Sequence, residues 1–501
     1  MTDGYEARSS TVFDLVIVGA GPAGLSAAIT AHANKLNVLI VDEQHDIGGQ
    51  IFRQPPSEFK VRKPGHSGGN WPAEQLLEEA RNATALNWRL GTTAWGVFRE
   101  GGAVGMTVAL SGPEGNELVR TKFLLVATGA YDLPVAFPGW TLPGVMTAGG
   151  VQTLIKSQFL RPGHRFVLAG SHPLLLLVAE LLIEAGAEIA EIAIARSRPS
   201  LAEIVAAMPA IPGHVRLIAG FVRSCWRLWK AGVPLRFSTV VIHASGNERV
   251  EGVTLCSIDA GWRVIPGEGR KVDADTLVIG YGLIASTELA RQAGCAIEWR
   301  PAEGGWIIQH DADMRTSVDD IYVAGEPAGV AGAEVAMHEG RLAALSVIES
   351  LGRSSRGHPA ERAAARRAAV TASRFSNVVS AFFAPRLDAL VQLATDKTVL
   401  CRCEEVEVGD VSAFLDANPH VSELNSLKQG CRVGMGFCQG RYCHVTAAHL
   451  LAERCGVLAE QVGMFEAQAP VKPVTVGSLA GLSATPDRTP HPGAAHCPKR
   501  R

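Results

Sequence analysis

Four cysteines in two close pairs carry the most pointed chemistry in the chain. Cys401-Arg402-Cys403 and Cys438–Cys443 form C-x-C and C-x4-C, with thirty-four residues between the pairs. Four thiolates meet the requirement of a 2Fe–2S cluster. A tetrahedral zinc ion is the rival, since it takes the same donors. Structural zinc sites usually space the ligands of a pair by two to four residues, and C-x-C is tighter, so iron–sulfur is the preferred reading. Gly434, Gly436 and Gly440 suit a tight backbone cage that offers N–H groups to cluster sulfurs. Cys431 could replace Cys438 or Cys443 but is expected to be a neighbouring non-ligand thiol. Of ten cysteines, six fall between Cys401 and Cys455. Such clustering reads as metal ligation in a reducing compartment, not as a disulfide framework. Cys225, Cys256, Cys295 and Cys455 read as small packing residues, and Cys497 as an inert thiol in an exposed tail.

A second constellation lies near the other end. Gly19-Ala20-Gly21-Pro22-Ala23-Gly24 is G-x-G-x-x-G. Gly19 permits a tight turn, Gly21 lets the backbone approach a pyrophosphate, and Gly24 allows a helix to pack closely on the strand. The helix N-terminus then offers N–H groups and the positive end of its dipole. Asp42, eighteen residues after Gly24, is placed for ribose hydroxyls, with Glu43 as a substitute. Gly48–Arg53, including Gly49, Gln50 and Arg53, follows the second strand and could wrap a diphosphate. This pattern reports only an ADP-containing ligand. FAD is favoured because Val126–Ala130, with Thr128 and Gly129, resembles the "ATG" turn of flavoproteins with two dinucleotide domains. Asp320–Glu326 resembles their late strand, where Gly325 precedes an acid that meets the flavin's ribityl and phosphate region. Here that acid is Glu326, one methylene longer than the usual Asp.

These residues need elements to hold them. Val12–Val18, Val38–Val41, Phe123–Ala127, Arg165–Ala169, Thr276–Gly280 and Ile321–Ala324 are short apolar runs that read as buried parallel strands. Helical stretches over Leu25–Asn34 and Leu174–Ala185 alternate with them. The expected fold class is α/β: two doubly wound dinucleotide-binding domains of the glutathione-reductase type, plus a small C-terminal ferredoxin-like 2Fe–2S module. The expected division is 1–155 with 265–350 for the FAD/ADP domain and 156–264 for the second domain. A linker with some helix near Val378–Phe383 follows over 351–398, then the cysteine module over 399–456 and an extended tail over 457–501, tied down near Val471–Leu479.

The second domain carries a degraded fingerprint. Of its three glycines only Gly170 remains. His172 stands where a pyrophosphate must approach, and Leu175 replaces the packing glycine. Ala195-Arg196 ends the next strand instead of a ribose-binding acid. Ordinary NAD(P)H binding is therefore not expected, unless His172 or Arg196 makes an atypical contact. The flavin half has no C-x-x-C, which speaks against a disulfide reductase. His338 and Glu339 could approach a flavin or simply belong to a helix surface. The tryptophans Trp71, Trp88, Trp95, Trp140, Trp226 and Trp229 are expected to pack.

Composition sets the outer limits. The 501 residues suffice for two to four domains, and a net charge of −2 gives no footprint for nucleic acid. Met1–Ser10 has no signal-peptide pattern. The most apolar stretch, Pro173–Ala195, is interrupted by Glu180, Glu184, Glu188 and Glu191, so no transmembrane segment is expected. A cytoplasmic protein is the expectation.

Together, Val16–Gly24, Gly48–Arg53, Ala127–Ala130 and Phe137–Gly150 (FPGWTLPGVMTAGG) resemble the family of opine oxidase A subunits. The B subunits of hydrogen cyanide synthase and the α subunits of proline and hydroxyproline dehydrogenases are similar. The Cys438–Cys443 segment also resembles a module of sarcosine oxidase α subunits. The resemblance reaches to about Leu479. It implies an oxidoreductase acting on CH–NH donors, in which a second flavoprotein subunit oxidises the C–N bond of an amino-acid-derived substrate. This chain then carries the electrons onward to a dye or the respiratory chain, with which it associates peripherally. For octopine or nopaline the products are arginine and a 2-oxo acid. Further implications are FAD or another adenine nucleotide, an FMN at a subunit interface and a small third subunit. A self-sufficient NAD(P)H-dependent flavin reductase and a zinc-bearing scaffold are the other classes open at this point.

Overall fold

The computed structural model describes residues 12–56, 59, 71–99, 105–113, 115–211 and 213–480. Cys497 and the end of the tail lie outside them. The first layer grows from β1 (Phe13–Val18), whose six residues are all buried. Parallel pairing with β2 (Val38–Val41) and β6 (Gly115–Val126) encloses it on both edges. β3 (Asn87–Arg89), β4 (Thr93–Phe98), β5 (Met106–Gly112) and β19 (Ile321–Val323) complete a sheet of order β3-β2-β1-β6-β5-β4, with β19 on β6. α1 (Pro22–Ala33) is built from small residues and can lie close to its neighbours. A Cβ on Gly340 of α8 (Ala333–Ser350) would fall 2.0 Å from the Ala23 carbonyl oxygen, so Gly340 lets α8 cross directly over the start of α1. α2 (Trp71–Asn82) also flanks this sheet.

The second sheet has the order β11-β10-β9-β15-β8, all parallel. Its strands are β8 (Val145–Thr147), β9 (Arg165–Gly170), β10 (Glu188–Ile194), β11 (Leu235–Phe237) and β15 (Thr276–Gly280). β8 and β15 fall in this sheet, not in the first unit where the expected 1–155 and 265–350 segments would put them. The helices of this unit are α3 (Ala148–Gln158), α4 (Leu174–Glu184), α5 (Leu201–Ala207) and α6 (Val215–Lys230). β12 (Thr239–Ser245), β13 (Gly252–Ser257) and β14 (Arg270–Asp273) make an antiparallel meander. A ribbon of β7 (Ala130–Asp132) with β16 (Leu283–Ala285) ties the two units together. β17 (Ile297–Arg300), β18 (Gly305–Ile308) and the short α7 (Glu288–Gln292) lie beside it.

The expected linker is mostly one helix, α9 (His358–Phe383). Its buried His358, Ala365, Ala369, Ala372 and Ser376 recur every three, four or seven residues and form one face. Its charges pair with other elements: Arg362 with Glu349, Arg366 with Asp313, and Glu361 with Arg341 of α8 at 2.8 Å. After α10 (Leu387–Val391) comes a module with its own core of Leu400, Val411, Leu424, Leu427, Val433, Leu451 and Phe465. It comprises β20 (Val399–Cys401), β21 (Val406–Glu407), α11 (Val408–Ala417), α12 (Leu424–Cys431) and α13 (His444–Cys455). The chain then returns to the first unit as a strap. Val471 N–H donates to Trp95 O at 2.8 Å, and Asn116 donates to Ser478 O within the short α14 (Val476–Ala480). No helix among the described residues is long and apolar enough to cross a membrane.

Candidate functional site

The glycine turn sits at the carboxyl edge of β1 and opens into a cleft of about 2590 Å3. That is well beyond the roughly 300–1,000 Å3 of ordinary ligand pockets, so the cleft has room for more than one small ligand. Gly19 (φ +114) passes so close to β6 that a Cβ there would fall 2.1 Å from Ala127 O. Gly21 is the N-cap of α1, with Pro22 at the first helical position, where the missing N–H costs nothing. Gly24 faces the turn instead of the cleft, and its Cβ would lie 1.8 Å from Gly19 O. Gly49 (φ +61) lies over Gly21, with its would-be Cβ 2.8 Å from Gly21 Cα.

Asp42 directly follows β2 at the cleft. Its carboxylate accepts from Ala20 N–H at 2.6 Å and Gln44 N–H at 2.7 Å. Burial nonetheless pushes its pKa up, against those two bonds. Arg53 lines the same wall, and its buried Nε has no hydrogen-bond partner within the protein. Gln50 donates to Ala130 O at 3.2 Å. Thr128 Oγ1 donates to Ser286 O at 2.8 Å beside Gly129. Gly325 (φ +76) packs against Ala23, and its N–H donates to Glu339 at 2.8 Å. Glu326 turns back over its own loop, accepting from Ala331 and Gly332 N–H at 3.2 Å each, while still lining the cleft. Burial raises Glu326 to about 7 and Glu339 to about 8. All the sequence-selected nucleotide residues except Gly24 thus line one cleft: Gly19, Gly21, Pro22, Ala23, Asp42, Glu43, Gly49, Gln50, Arg53, Thr128, Gly129, Gly325 and Glu326. His338 lines it as well.

Among the cleft residues that escaped sequence reasoning are Tyr131, Ser286, Glu288, Arg441 and Lys472. Tyr131 follows the Thr128-Gly129 turn and Arg441 lies between two of the cysteines, so both stood beside a motif. Lys472 arrives on the strap and pairs with Glu43 at 2.6 Å. No local pattern marks it.

The cysteines gather at the start of the C-terminal module. Cys401 ends β20 and Cys443 caps α13, both buried. Cys401 and Cys443 act on each other's ionisation, as do Cys403 and Cys438. The Cys443 contact, with backbone N–H groups of Gly434, Glu404 and Cys403, lowers the Cys401 thiol to about 6. Cys401 in turn raises Cys443. Among the described residues, no group of three or more His, Cys, Asp or Glu side chains is arranged to hold a single metal ion. Gly436 sits against Cys403, where its Cβ would lie 2.1 Å from Cys403 Cβ. Gly434 and Gly440 have positive φ and lie beneath the Phe465 ring, which leaves no room for a Cβ. Cys431 donates from Sγ to Leu427 O at 3.1 Å within α12. Cys256 and Cys295 are buried; Cys225 and Cys455 are half-buried.

The second fingerprint is filled by side chains. Leu175 is fully buried in contact range of Gly170 and Gly280, occupying the space a packing glycine would leave. Burial lowers His172 to about 4, so it presents a neutral imidazole to the cleft. Arg196 is not free for an atypical nucleotide contact. It stacks on Phe382 at 3.6 Å and donates to Phe382 O and Glu203. Two of the tryptophans expected to pack do not: Trp226 is 54% and Trp229 76% exposed on α6, whereas Trp95 and Trp140 are buried.

Comparison with known proteins matches this layout. A family model described as pyridine nucleotide-disulphide oxidoreductase matches residues 13–340. One described as the sarcosine oxidase A3 domain matches residues 395–482. The A subunit of opine oxidase from Agrobacterium tumefaciens (strain Ach5) is 34% identical, covering 95% of this chain and 93% of that protein. The hydrogen cyanide synthase subunit HcnB of Pseudomonas aeruginosa is 32% identical over 93% of this chain and 98% of that protein. The structure of L-proline dehydrogenase from P. horikoshii shares the fold, with a TM-score of 0.65 at 21% identity, covering 94% of this chain and 79% of that one. The chain belongs to the family of opine oxidase A subunits, a group of flavin-type oxidoreductase components built on the pyridine nucleotide-disulphide oxidoreductase fold.

Proposed function

We propose that this chain is the electron-transfer subunit of a heteromeric dehydrogenase or oxidase that cleaves the C–N bond of an opine. The carrying observation is that one chain presents a glycine-walled nucleotide cleft and a four-thiol set, with Tyr131 and Arg441 between them. In this reading FAD or another adenine nucleotide occupies the cleft. The fit is good: Gly19, Gly21 and Gly49 leave a wall free of side chains, and the orphaned Arg53 Nε is a donor awaiting an oxygen. Asp42 fixes the turn through Ala20 N–H and keeps lone pairs for a ribose.

The thiol set suits a 2Fe–2S centre. Cys401, Cys403 and Cys438 all act on Cys443, four thiols in one neighbourhood as a 2Fe–2S centre requires, and the cage N–H groups favour the anionic sulfur. Bound flavin and cluster would supply one- and two-electron chemistry that no side chain here provides. This chain's residues hold those groups and keep the nicotinamide route shut, because Leu175 and His172 fill the second fingerprint.

The amine-oxidising site belongs, on this reading, to a second flavoprotein subunit. An FMN at the interface and a small third subunit complete the proposed assembly. The opine, octopine or nopaline, follows from the similarity to the opine oxidase A subunit. The HcnB relative supports a second reading, a component of hydrogen cyanide synthase, at lower identity. The proposed setting is the cytoplasm, with electrons leaving to the respiratory chain. Cys438→Ser tests the ligand set. Low-temperature EPR of the dithionite-reduced chain should lose the iron–sulfur signal, and an unchanged signal would remove Cys438 from the ligands.

A further inference from the structure

Arg441 stands where the two sites meet, and its guanidinium serves three separate parts of the molecule. Nη1 donates to Cys438 O at 2.9 Å, inside the thiol loop. Nη2 donates to Val471 O at 2.7 Å, on the returning strap. Nε donates to Tyr131 OH at 3.0 Å, on the cleft wall. Glu288 balances the charge at 3.2 Å, and the two side chains are only 9% and 12% exposed. Tyr131 OH also meets Ser286 Oγ at 3.0 Å, and Ser286 O accepts from Thr128 in the cleft turn. An unbroken line of polar contacts therefore runs from the Cys438 loop to Thr128. The strap adds a second line, since Lys472, next to Val471, pairs with Glu43 beside Asp42.

An ion pair buried at such a seam is costly to desolvate, and apolar packing would hold the module on as well. What the guanidinium adds is direction: its planar fork fixes three acceptors relative to one another. If a ligand in the cleft settles Tyr131 and the strap, Arg441 passes that ordering to the Cys438 loop, and the reverse holds with the same factor.

We propose that Arg441 is a positioning residue that couples the nucleotide cleft to the cysteine module. The proposal rests on the nucleotide reading of the cleft, and one arm of its test rests on the iron–sulfur reading. The experiment uses the full chain and its variants Arg441→Met, Arg441→Lys and Glu288→Gln, each checked for native circular dichroism. FAD and ADP are titrated by calorimetry, and the potential of the iron–sulfur centre is followed by EPR.

Arg441→Met should weaken both nucleotides about tenfold, within the usual range of intersite coupling, and Arg441→Lys should recover part of the loss. The potential should fall in Arg441→Met, which removes a cation near a centre that becomes more negative on reduction. It should rise in Glu288→Gln, which removes an anion. A merely structural contact would not give opposite shifts. Affinity and potential equal to those of the unaltered chain, or shifts in the same direction, would overturn the coupling.

If metal analysis finds no iron, the cluster reading fails by itself. The coupling is then read from iodoacetamide alkylation of Cys438: ADP should slow it in the unaltered chain and not in Arg441→Met, and equal effects would overturn the proposal. An unaltered chain that binds neither FAD nor ADP would mark failure of the nucleotide reading and take the coupling with it.

Discussion

Burial raises the carboxyls of Glu326, on the cleft wall, and Glu339 from 4.5 to about 7 and about 8, and the Glu326 charge adds to the rise at Glu339. A carboxyl raised on folding is stabilising in its neutral form. Its contribution is complete below the unfolded pKa and is lost as pH rises through the folded value. Glu339→Gln keeps an oxygen for Gly325 N–H and cannot ionise. Its melting temperature should match the unaltered chain near pH 5 and exceed it by a few degrees near pH 9. A constant difference across thermal melts at pH 5, 7 and 9 would contradict the shift. The residues legible from sequence are those whose task is done by backbone: Gly19 and Gly49 matter for the Cβ they lack, and local spacing reveals that. Arg441 and Tyr131 are 310 positions apart, and only the folded chain makes them partners.

At the scale of elements, the first helix depends on a single missing methyl group. A Cβ on Gly24 would lie 1.8 Å from Gly19 O, so α1 would have to lift from the turn that presents its N-terminus. Gly24→Ala should cost about 1–3 kcal/mol, as overpacking does, read from the guanidinium midpoint, and should weaken nucleotide binding with it. Unchanged midpoint and affinity would mean that α1 does not depend on that contact. β2 and β15 were legible as compact apolar runs bounded by turn residues. α9 was not, because its buried face is largely alanine and its arginines find their acids on other elements. Trp226 and Trp229 misled in the opposite direction. Their helix α6 buries Ser224 and Leu228 and leaves both indoles outward, and residue type alone does not tell which face of an amphipathic helix meets the core.

Across the whole molecule, a mixed sheet and an all-parallel sheet share the cleft, and the C-terminal module closes one side of it through Arg441 and the strap. The alternation of strands and helices made two dinucleotide-type units legible. Which sheet receives β8 and β15 was not: β15 is a buried apolar run that would suit either sheet, and β8 is only three partly buried residues long. The β7–β16 ribbon beside that pairing joins segments more than 150 residues apart. The proposed electron route rests on the same assembly: a first cleft walled by glycine, a second fingerprint filled by Leu175 and His172, and thiols joined to the first through Tyr131. An anaerobic absorption spectrum of the purified chain, taken before and after addition of NADH, tests that route most directly. Flavin and iron–sulfur bands that do not bleach are expected of an electron-transfer subunit supplied by a partner; rapid bleaching would mean that a nicotinamide reaches the flavin past His172 and Leu175, and would contradict it.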